Sequence, residues 1–315
     1  MARVLVTRRL PDGGTDPLSA AGHEIVARDD DRAFTTDELR AAVRDVDAIV
    51  SLLTDRIDAS VIEHGAPRLK VVANVAVGYD NVDVAAATAA GVAVCNTPGV
   101  LDETTADLAF LLVLAAARLA SVAEADLRNE RWHGWGINQY LGHDVHGATL
   151  GLVGYGRIGR AVARRAAGFD MHVLHHSRTD TGESGWRADL DAMLGESDVV
   201  SLHVPLTDAT HHLFDADRLA RMRPGSVLVN TARGPVVDEE ALAAALEDGH
   251  LFAAGLDVFE QEPEVHPRLL AAPRAVLLPH IGSASTATRT RMARLACEGA
   301  VAVLAGERPP NLVTP

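Results

Sequence analysis

The 315-residue sequence predicts an α/β chain of two doubly wound parallel-sheet domains, and two observations carry that reading. Short apolar runs of strand length alternate with helical patterns over the first hundred residues, and the same alternation starts again at Thr149. At 48% hydrophobic residues, the chain has enough apolar side chains for two separate cores. In the first run, strands are expected at 4–6, 24–27, 48–52, 71–74 and 92–95, with helices at 36–44, 57–64 and 82–90. Thr36 offers an N-cap to the first helix and Gly91 stops the last. Asn96-Thr97-Pro98-Gly99 is a turn. Residues 102–120 then read as one long helix, apolar round most of its circumference (Leu108, Leu111, Leu112, Val113, Leu114). Such a helix must be buried, between domains or against another subunit. Residues 121–145, with Trp132, Trp135 and several glycines, are too long for a plain connector and form a candidate functional or subunit-contact loop.

The second run places strands at 149–153, 171–175, 198–203, 226–230, 253–258 and 275–278, and helices at 157–167, 217–222 and 238–248. Pro224-Gly225 turns the chain into the fourth of these strands. Residues 285–304 are an Ala-rich helix long enough to return to the N-terminal half, and the tail 306–315 has little pattern.

Composition excludes several classes of function. A net charge of −14 disfavours nucleic acid or an anionic membrane surface as a partner. No apolar run reaches the ~18 residues that a membrane span needs, and the start, Met1 to Thr7, is a strand pattern without the apolar core of a signal peptide. Cys95 and Cys297 have neither pairing nor metal-ligand spacing, so no metal is expected, and both read as buried thiols of a cytoplasmic protein.

The most specific local signal is Gly154-Tyr155-Gly156-Arg157-Ile158-Gly159, which follows an apolar strand and opens a helix. In that setting Gly154 makes the tight turn, Gly156 lets backbone approach a pyrophosphate, and Gly159 lets the helix pack close on the strand. The helix N-terminus adds its partial positive charge, so the stretch predicts dinucleotide binding. Arg157 faces the pyrophosphate or points to water. The second strand of such a unit ends roughly 20 residues further on, usually with an acid that bonds the adenosine ribose. Here the end reads His175-His176-Ser177-Arg178, with no carboxylate before Asp180. Ser177 takes the acidic position with Arg178 beside it, and hydroxyl and guanidinium donors suit a 2′-phosphate, so NADP is favoured over NAD. The alternative is that Arg178 is a solvated loop residue.

Three more stretches sit at predicted strand ends: Asn230-Thr231-Ala232-Arg233-Gly234, Gly255 to Pro263, and Leu278 to Ser283. Ligands bind at such ends in open α/β sheets, and Arg233, Glu262 and His280 can converge on one crevice. Taken singly, each has a plain alternative: a surface arginine, a loop acid before proline, a satisfied core histidine.

Together these stretches closely resemble the D-isomer-specific 2-hydroxyacid dehydrogenases. Val77-Gly78-Tyr79-Asp80-Asn81-Val82-Asp83, Asn96 to Gly99 and Thr104-Thr105-Ala106-Asp107 add to the match, which runs over nearly the whole chain in the family's order. It departs at Asp107, where the family commonly has Glu. The resemblance implies that Arg233 pairs with a substrate carboxylate and polarises its keto oxygen, that His280 is the general acid of the reduction, and that Glu262 holds the other imidazole nitrogen. It implies that Asp257 holds the nicotinamide carboxamide and that Thr104, Tyr155, Ile158, His203, Pro205, Thr231, Ala232 and Gly282 line the cofactor. Backbone N–H groups of Val77 and Gly78 would grip the carboxylate, with Leu53 as an apolar wall. It further implies a substrate domain of residues 1–99 and 284–315, a Rossmann-type cofactor domain of residues 100–283, an active-site cleft between them, and a homodimer. Trp135 aligns with a tryptophan that reaches the partner's active site, or else serves interface packing alone.

Within the family, the pair Trp132/Trp135 and the His176-Ser177-Arg178 segment resemble the glyoxylate/hydroxypyruvate reductases. No Arg or Lys cluster is evident near Leu52-Leu53 in the sequence, which suits a small 2-oxo acid over a phosphorylated one. Phosphoglycerate dehydrogenase or another NAD-dependent member is the alternative. A dinucleotide-sensing corepressor, which keeps the same triad, is a remoter one.

Overall fold

All eleven expected strands form, and each of the two runs closes into a single parallel sheet. The computed structural model describes residues 1–28 and 31–314. The chain divides into two units, Met1–Leu101 with Ser283–Pro315, and Asp102–Gly282. Pro315, which the predicted tail and substrate domain include, lies outside the described residues.

The first unit opens with β1 (Arg3–Val6), α1 (Asp16–Ala20), β2 (Glu24–Ala27), α2 (Thr36–Ala42), β3 (Ala48–Ser51), α3 (Ala59–Gly65), β4 (Val71–Asn74), α4 (Val84–Ala89) and β5 (Ala93–Cys95). Its sheet order is β2-β1-β3-β4-β5, so the winding reverses between β1 and β3. The N-cap of α2 is Thr35, not Thr36. Its hydroxyl accepts the Glu38 N–H while the Glu38 carboxylate takes the Thr35 N–H, a reciprocal capping box that makes Thr36 the first helical residue. Strands β3 and β4 are buried throughout, as a sheet covered on both faces requires.

The second unit begins with α5 (Asp102–Ala117) and α6 (Ala120–Arg128), followed by β6 (Thr149–Val153), α7 (Arg157–Ala167), β7 (His172–His176), α8 (Leu190–Glu196), β8 (Val199–Leu202) and α9 (Ala216–Leu219). Then come β9 (Val227–Asn230), α10 (Glu239–Glu247), β10 (Ala253–Leu256), α11 (Pro267–Ala271) and β11 (Ala275–Leu277). The order β11-β10-β9-β8-β6-β7 is parallel throughout and reverses its winding between β6 and β8. A ligand crevice lies outside the strand ends at such a reversal.

The expected helix over 102–120 stops at Ala117. Leu119 turns left-handed at φ 53°, and the Ala117 carbonyl accepts the His143 N–H at 2.8 Å instead of continuing the helix. The expected loop over 121–145 therefore starts as helix α6, which buries none of its residues and shows no deep apolar stripe to read. Helix α5 is buried along one side, while Leu111 stays exposed. Within its own unit it packs on α7, β9, β10 and β11, and Leu112 sits against Gly255, where a Cβ would stand 2.8 Å from the Leu112 Cβ. Phe110, Leu112 and Val113 are buried there, each worth about 1.5–3 kcal/mol relative to exposure. Arg165 of α7 ties the pair together through Asp107 and Glu103, so the shorter acid at 107 still reaches a partner.

Finally α12 (Thr286–Leu304) packs on β3, β4, β5 and α1 of the first unit. The tail, patternless in sequence, does sheet work. Val313 N–H donates to the Val94 carbonyl at 2.7 Å, and the Asn311 side chain donates to the Asn96 carbonyl at 2.7 Å. That antiparallel contact covers the otherwise open edge of β5. Among the described residues, no single helix is long and apolar enough to cross a membrane.

Candidate active site

In the second unit, the glycine loop leaves β6 at the reversal point and its three glycines are required for three different reasons. Gly154 has φ +95°, and a Cβ there would lie 2.5 Å from the His203 carbonyl oxygen, which enters from the end of β8. A Cβ on Gly159 would overlap the Gly154 carbonyl, so helix and turn are in backbone contact. Gly156 meets nothing within 4 Å. Its missing side chain leaves open space at the start of α7, a helix whose N-cap offers no side-chain acceptor. Those features fit a dinucleotide pyrophosphate.

Tyr155 and Ile158 pack against the core, so what they offer a ligand is backbone N–H. The Tyr155 ring stacks on His175 at 3.7 Å between centroids, with the Arg160 guanidinium 4.7 Å from it. Arg157 is largely exposed, and its Nε lies 3.3 Å from Asp102 at the start of α5, two residues before the half-buried Thr104. Burial holds the Asp102 carboxyl above its ordinary value despite that partner.

At the end of β7, Ser177 Oγ donates to the Thr179 carbonyl at 2.8 Å. Arg178 is exposed and has no hydrogen bond or ion pair among the described residues. Asp180, the first carboxylate after the strand, is turned into the loop, where it accepts the Gly182 N–H at 2.8 Å. Across the reversal, His203 bonds Ser201 through Nε2 at 3.0 Å, and burial pushes its ring down to about 4, so it is neutral at neutral pH. Pro205 is exposed beyond it. Thr231 Oγ1 is buried without a partner among the described residues.

The arginine, glutamate and histidine stand at successive strand ends. After β9, Asn230 shapes the turn: Oδ1 accepts the Ala232 N–H at 3.0 Å and Nδ2 donates to the Arg233 carbonyl at 2.9 Å. Gly234 then touches the loop after β10. A Cβ at 234 would overlap the Phe259 carbonyl group, so only glycine lets the two loops meet. In that loop Glu262 Oε1 accepts the Phe259 N–H at 3.0 Å, and Oε2 lies 2.8 Å from His280 Nδ1. Burial raises the Glu262 carboxyl, but the bond and charge of His280, the Phe259 N–H and the charge of Arg233 outweigh it and hold it below its ordinary value. Glu262 therefore stays ionised across the range in which an imidazole titrates. About a quarter of each partner's side chain is exposed, 26% for His280 and 28% for Glu262, so the pair faces solvent on one side.

His280 itself sits at φ +54°, a backbone conformation rare for a side-chain-bearing residue. Asp257 shows what holds it there. Its backbone carbonyl accepts the His280 N–H at 2.8 Å, while Oδ1 takes the Ile281 N–H and Oδ2 the Gly282 N–H, both at 2.7 Å. The residue is 1% exposed. Each carboxylate oxygen accepts one bond from the turn that carries the histidine and keeps a second lone pair. A second buried acid, Glu239, escaped sequence reasoning. Its Oε1 accepts the Glu260 N–H at 2.8 Å and its Oε2 the His266 N–H at 3.3 Å, clamping the loop that carries Glu262. As the first residue of α10 it reads in sequence only as a dipole-complementing acid.

The remaining expected residues lie elsewhere. In the first unit, Leu53, Val77 and Gly78 follow β3 and β4. Asn96 Nδ2 donates to the Val77 carbonyl at 2.8 Å and Asn74 Nδ2 to the Gly78 carbonyl at 3.0 Å. Side chains thus fix the two carbonyls, and neither backbone N–H has an acceptor among the described residues. Trp135 is 80% exposed, in company with exposed Leu111, Leu127, Trp132, Ile137 and Leu141.

Residues 110–282 match the model of the D-isomer specific 2-hydroxyacid dehydrogenase, NAD binding domain. The glyoxylate reductase of Thermococcus onnurineus is 47% identical over 320 residues, 99% of this chain and 95% of that one. Among solved structures, a glyoxylate reductase from Paecilomyes thermophila superposes with a TM-score of 0.88 at 36% identity, covering 99% of this chain and 98% of that one. An NADPH-dependent glyoxylate/hydroxypyruvate reductase from Sinorhizobium meliloti, in complex with NADP and malonate, gives 0.86 at 36% identity, covering 99% and 96%.

Proposed function

The chain belongs to the D-isomer-specific 2-hydroxyacid dehydrogenases, a family of oxidoreductases, and from that premise we propose that it reduces glyoxylate or hydroxypyruvate to the D-2-hydroxy acid, with NADPH preferred over NADH. The observation that carries this reading is the His280–Glu262 pair at 2.8 Å, on a turn pinned by Asp257, with Arg233 charged beside it.

The chemistry that the bound dinucleotide supplies is a hydride for the keto carbon. The backbone of residues 154–159 and the start of α7 hold its pyrophosphate. Ser177 and Arg178 take the 2′-phosphate, and Thr104, His203, Pro205, Thr231, Ala232 and Gly282 line the rest of its site. Arg233 pairs with the substrate carboxylate and draws electron density from the keto oxygen. His280 Nε2 would give that oxygen its proton, which leaves a neutral hydroxyl on the product. Glu262 fixes the ring through Nδ1 and stabilises its protonated form. In the first unit, the N–H groups of Val77 and Gly78 have no acceptor among the described residues, which suits donors to a carboxylate. The two cysteines, both buried and unpaired, agree with a reducing, cytoplasmic compartment.

Steady-state kinetics with NADPH and NADH on glyoxylate, hydroxypyruvate and pyruvate tests the whole reading. Failure of every 2-oxo acid to drive oxidation of either cofactor sinks it. Arg178→Ala is expected to raise the KM for NADPH about tenfold or more, the scale of one lost charge-assisted hydrogen bond, and to leave NADH nearly unmoved. Equal effects on both cofactors would show that Arg178 does not read the 2′-phosphate.

Six large apolar side chains between 111 and 141 are exposed, and their covering by a second copy supports a homodimer. Sedimentation is expected to give twice the 33.3 kDa chain mass, and Trp135→Arg to shift the boundary toward the monomer. A wild-type chain that sediments as a monomer at micromolar concentration refutes that assembly.

A further inference from the structure

The segment after β7 leaves the edge of the second sheet and returns to it. His175 N–H donates to the Gly185 carbonyl at 2.9 Å, and Arg187 N–H donates to the His175 carbonyl at 2.8 Å. Residues 178–184 are thus a loop closed at its base on one strand residue. His176 Nδ1 lies 3.0 Å from the Arg187 carbonyl oxygen and reinforces the return. The closure leaves no room for a side chain at 185, where a Cβ would overlap the Val173 carbonyl oxygen. The strand end also adjoins the glycine turn, since Gly154 N–H donates to the His176 carbonyl at 2.9 Å. Arg178 stands on this loop, exposed.

Between its pinned ends, the loop reaches back to the unit through two side-chain polar contacts among the described residues. Thr181 Oγ1 lies 2.8 Å from His175 Nε2, and Glu183 pairs with Arg160 of α7. The same Thr181 oxygen accepts the Glu183 N–H at 3.3 Å. His175 is fully buried, and its Nδ1 has no partner among the described residues, so the Thr181 hydroxyl is the ring's one side-chain hydrogen bond. A bond to a buried ring is costly to lose, because water does not replace it. The ring is stacked on Tyr155, and the Arg160 guanidinium stands 4.7 Å from the Tyr155 centroid. One column, Arg160–Tyr155–His175, therefore supports both the glycine turn and the loop that carries Arg178. An exposed loop of seven residues samples many conformations, and a tie at its middle removes most of them before a ligand binds.

We propose that Thr181 and His175 are positioning residues for cofactor selection, and that the bond between them presets the loop so that Arg178 meets the 2′-phosphate of NADPH. This rests on the cofactor preference proposed above and names what enforces it. Neither residue touches the phosphate. They act through Arg178, by lowering the cost of ordering it.

The test is the Kd of NADPH and of NADH, read by fluorescence titration of the purified full chain. The variants are Thr181→Val, Thr181→Ser, Arg178→Ala and the double variant Arg178→Ala/Thr181→Val. Thr181→Val keeps the branched shape and loses the hydroxyl, and it is expected to weaken NADPH about threefold to tenfold, the scale of one hydrogen bond. NADH should stay within about twofold. Thr181→Ser keeps the hydroxyl and should bind both cofactors as wild type does. In the Arg178→Ala background, Thr181→Val should add nothing, since two residues that act through one contact are not additive. Thr181→Ala takes the place of the valine variant if that one does not fold. An unchanged NADPH Kd in Thr181→Val overturns the proposal, as does the same loss with and without Arg178. Equal losses on both cofactors in Thr181→Val, beside a selective loss in Arg178→Ala, also overturn it and leave the NADPH reading intact. If Arg178→Ala itself weakens both cofactors equally, the 2′-phosphate reading falls and the proposal falls with it.

Discussion

Replacing His280 by alanine is expected to lower kcat for 2-oxo acid reduction by about 10²- to 10⁴-fold, the usual contribution of a positioned general acid. NADPH affinity should change little, because the ring's one side-chain partner is Glu262, and the turn that carries it is held by backbone bonds to Asp257. Those bonds survive the substitution. Because residue 280 sits at φ +54°, His280→Asn is the better conformational control, since asparagine tolerates the left-handed region. Both variants should lose turnover while keeping wild-type unfolding temperatures within a few degrees. Measured by kcat and by fluorescence titration of NADPH, comparable losses of turnover and cofactor affinity would make His280 a structural residue. Retention of turnover by either variant would remove it from the chemistry altogether.

How much of this could be read beforehand follows from which interactions are periodic. Strands such as β3, β4 and β9 are continuous apolar runs, and a run of that length between turn residues has few other solutions. The glycine loop, Arg233, Glu262 and His280 were legible because each sits next to a strand end with a residue type that has few structural uses there. Three kinds of feature were not. The break after Ala117 depends on a carbonyl captured by His143, 26 residues on, and Leu119 carries no turn signature. The tail pairs with β5 through Asn311, Val313 and Thr314, whose residue types announce nothing about an edge some 215 positions earlier. Asp257 and Glu239 are carboxylates spent on backbone N–H groups, a role that depends on where two loops meet in space. Each of these is a long-range pairing without periodicity, and only the folded chain shows it.

The same kind of pairing makes Gly234 the second position of large expected effect. It is buried and its φ is not left-handed, so conformational freedom is not the reason for glycine there. The reason is space. A Cβ at 234 would overlap the Phe259 carbonyl group and stand too close to the Glu260 N–H, all of it backbone that no rotamer change can move aside. Gly234→Ala must push apart the Arg233 turn and the loop that carries Glu262, and overpacking of this kind costs about 3 kcal/mol. In a chain of this size the unfolding temperature should fall by roughly 4–5 °C. The surviving folded enzyme should lose about 10²-fold in kcat, since Arg233 and the Glu262–His280 pair are displaced relative to each other by the same clash. Gly195 provides the internal control. It lies in α8, has nothing within 4 Å of a built Cβ, and has no left-handed φ. Gly195→Ala should leave kcat untouched and raise stability by about 0.5–1 kcal/mol, the helix preference of alanine over glycine. Calorimetry and turnover on the two variants side by side decide the point. If Gly234→Ala behaves like Gly195→Ala, the two loops do not depend on backbone contact at 234, and the alignment of Arg233 with Glu262 must come from elsewhere.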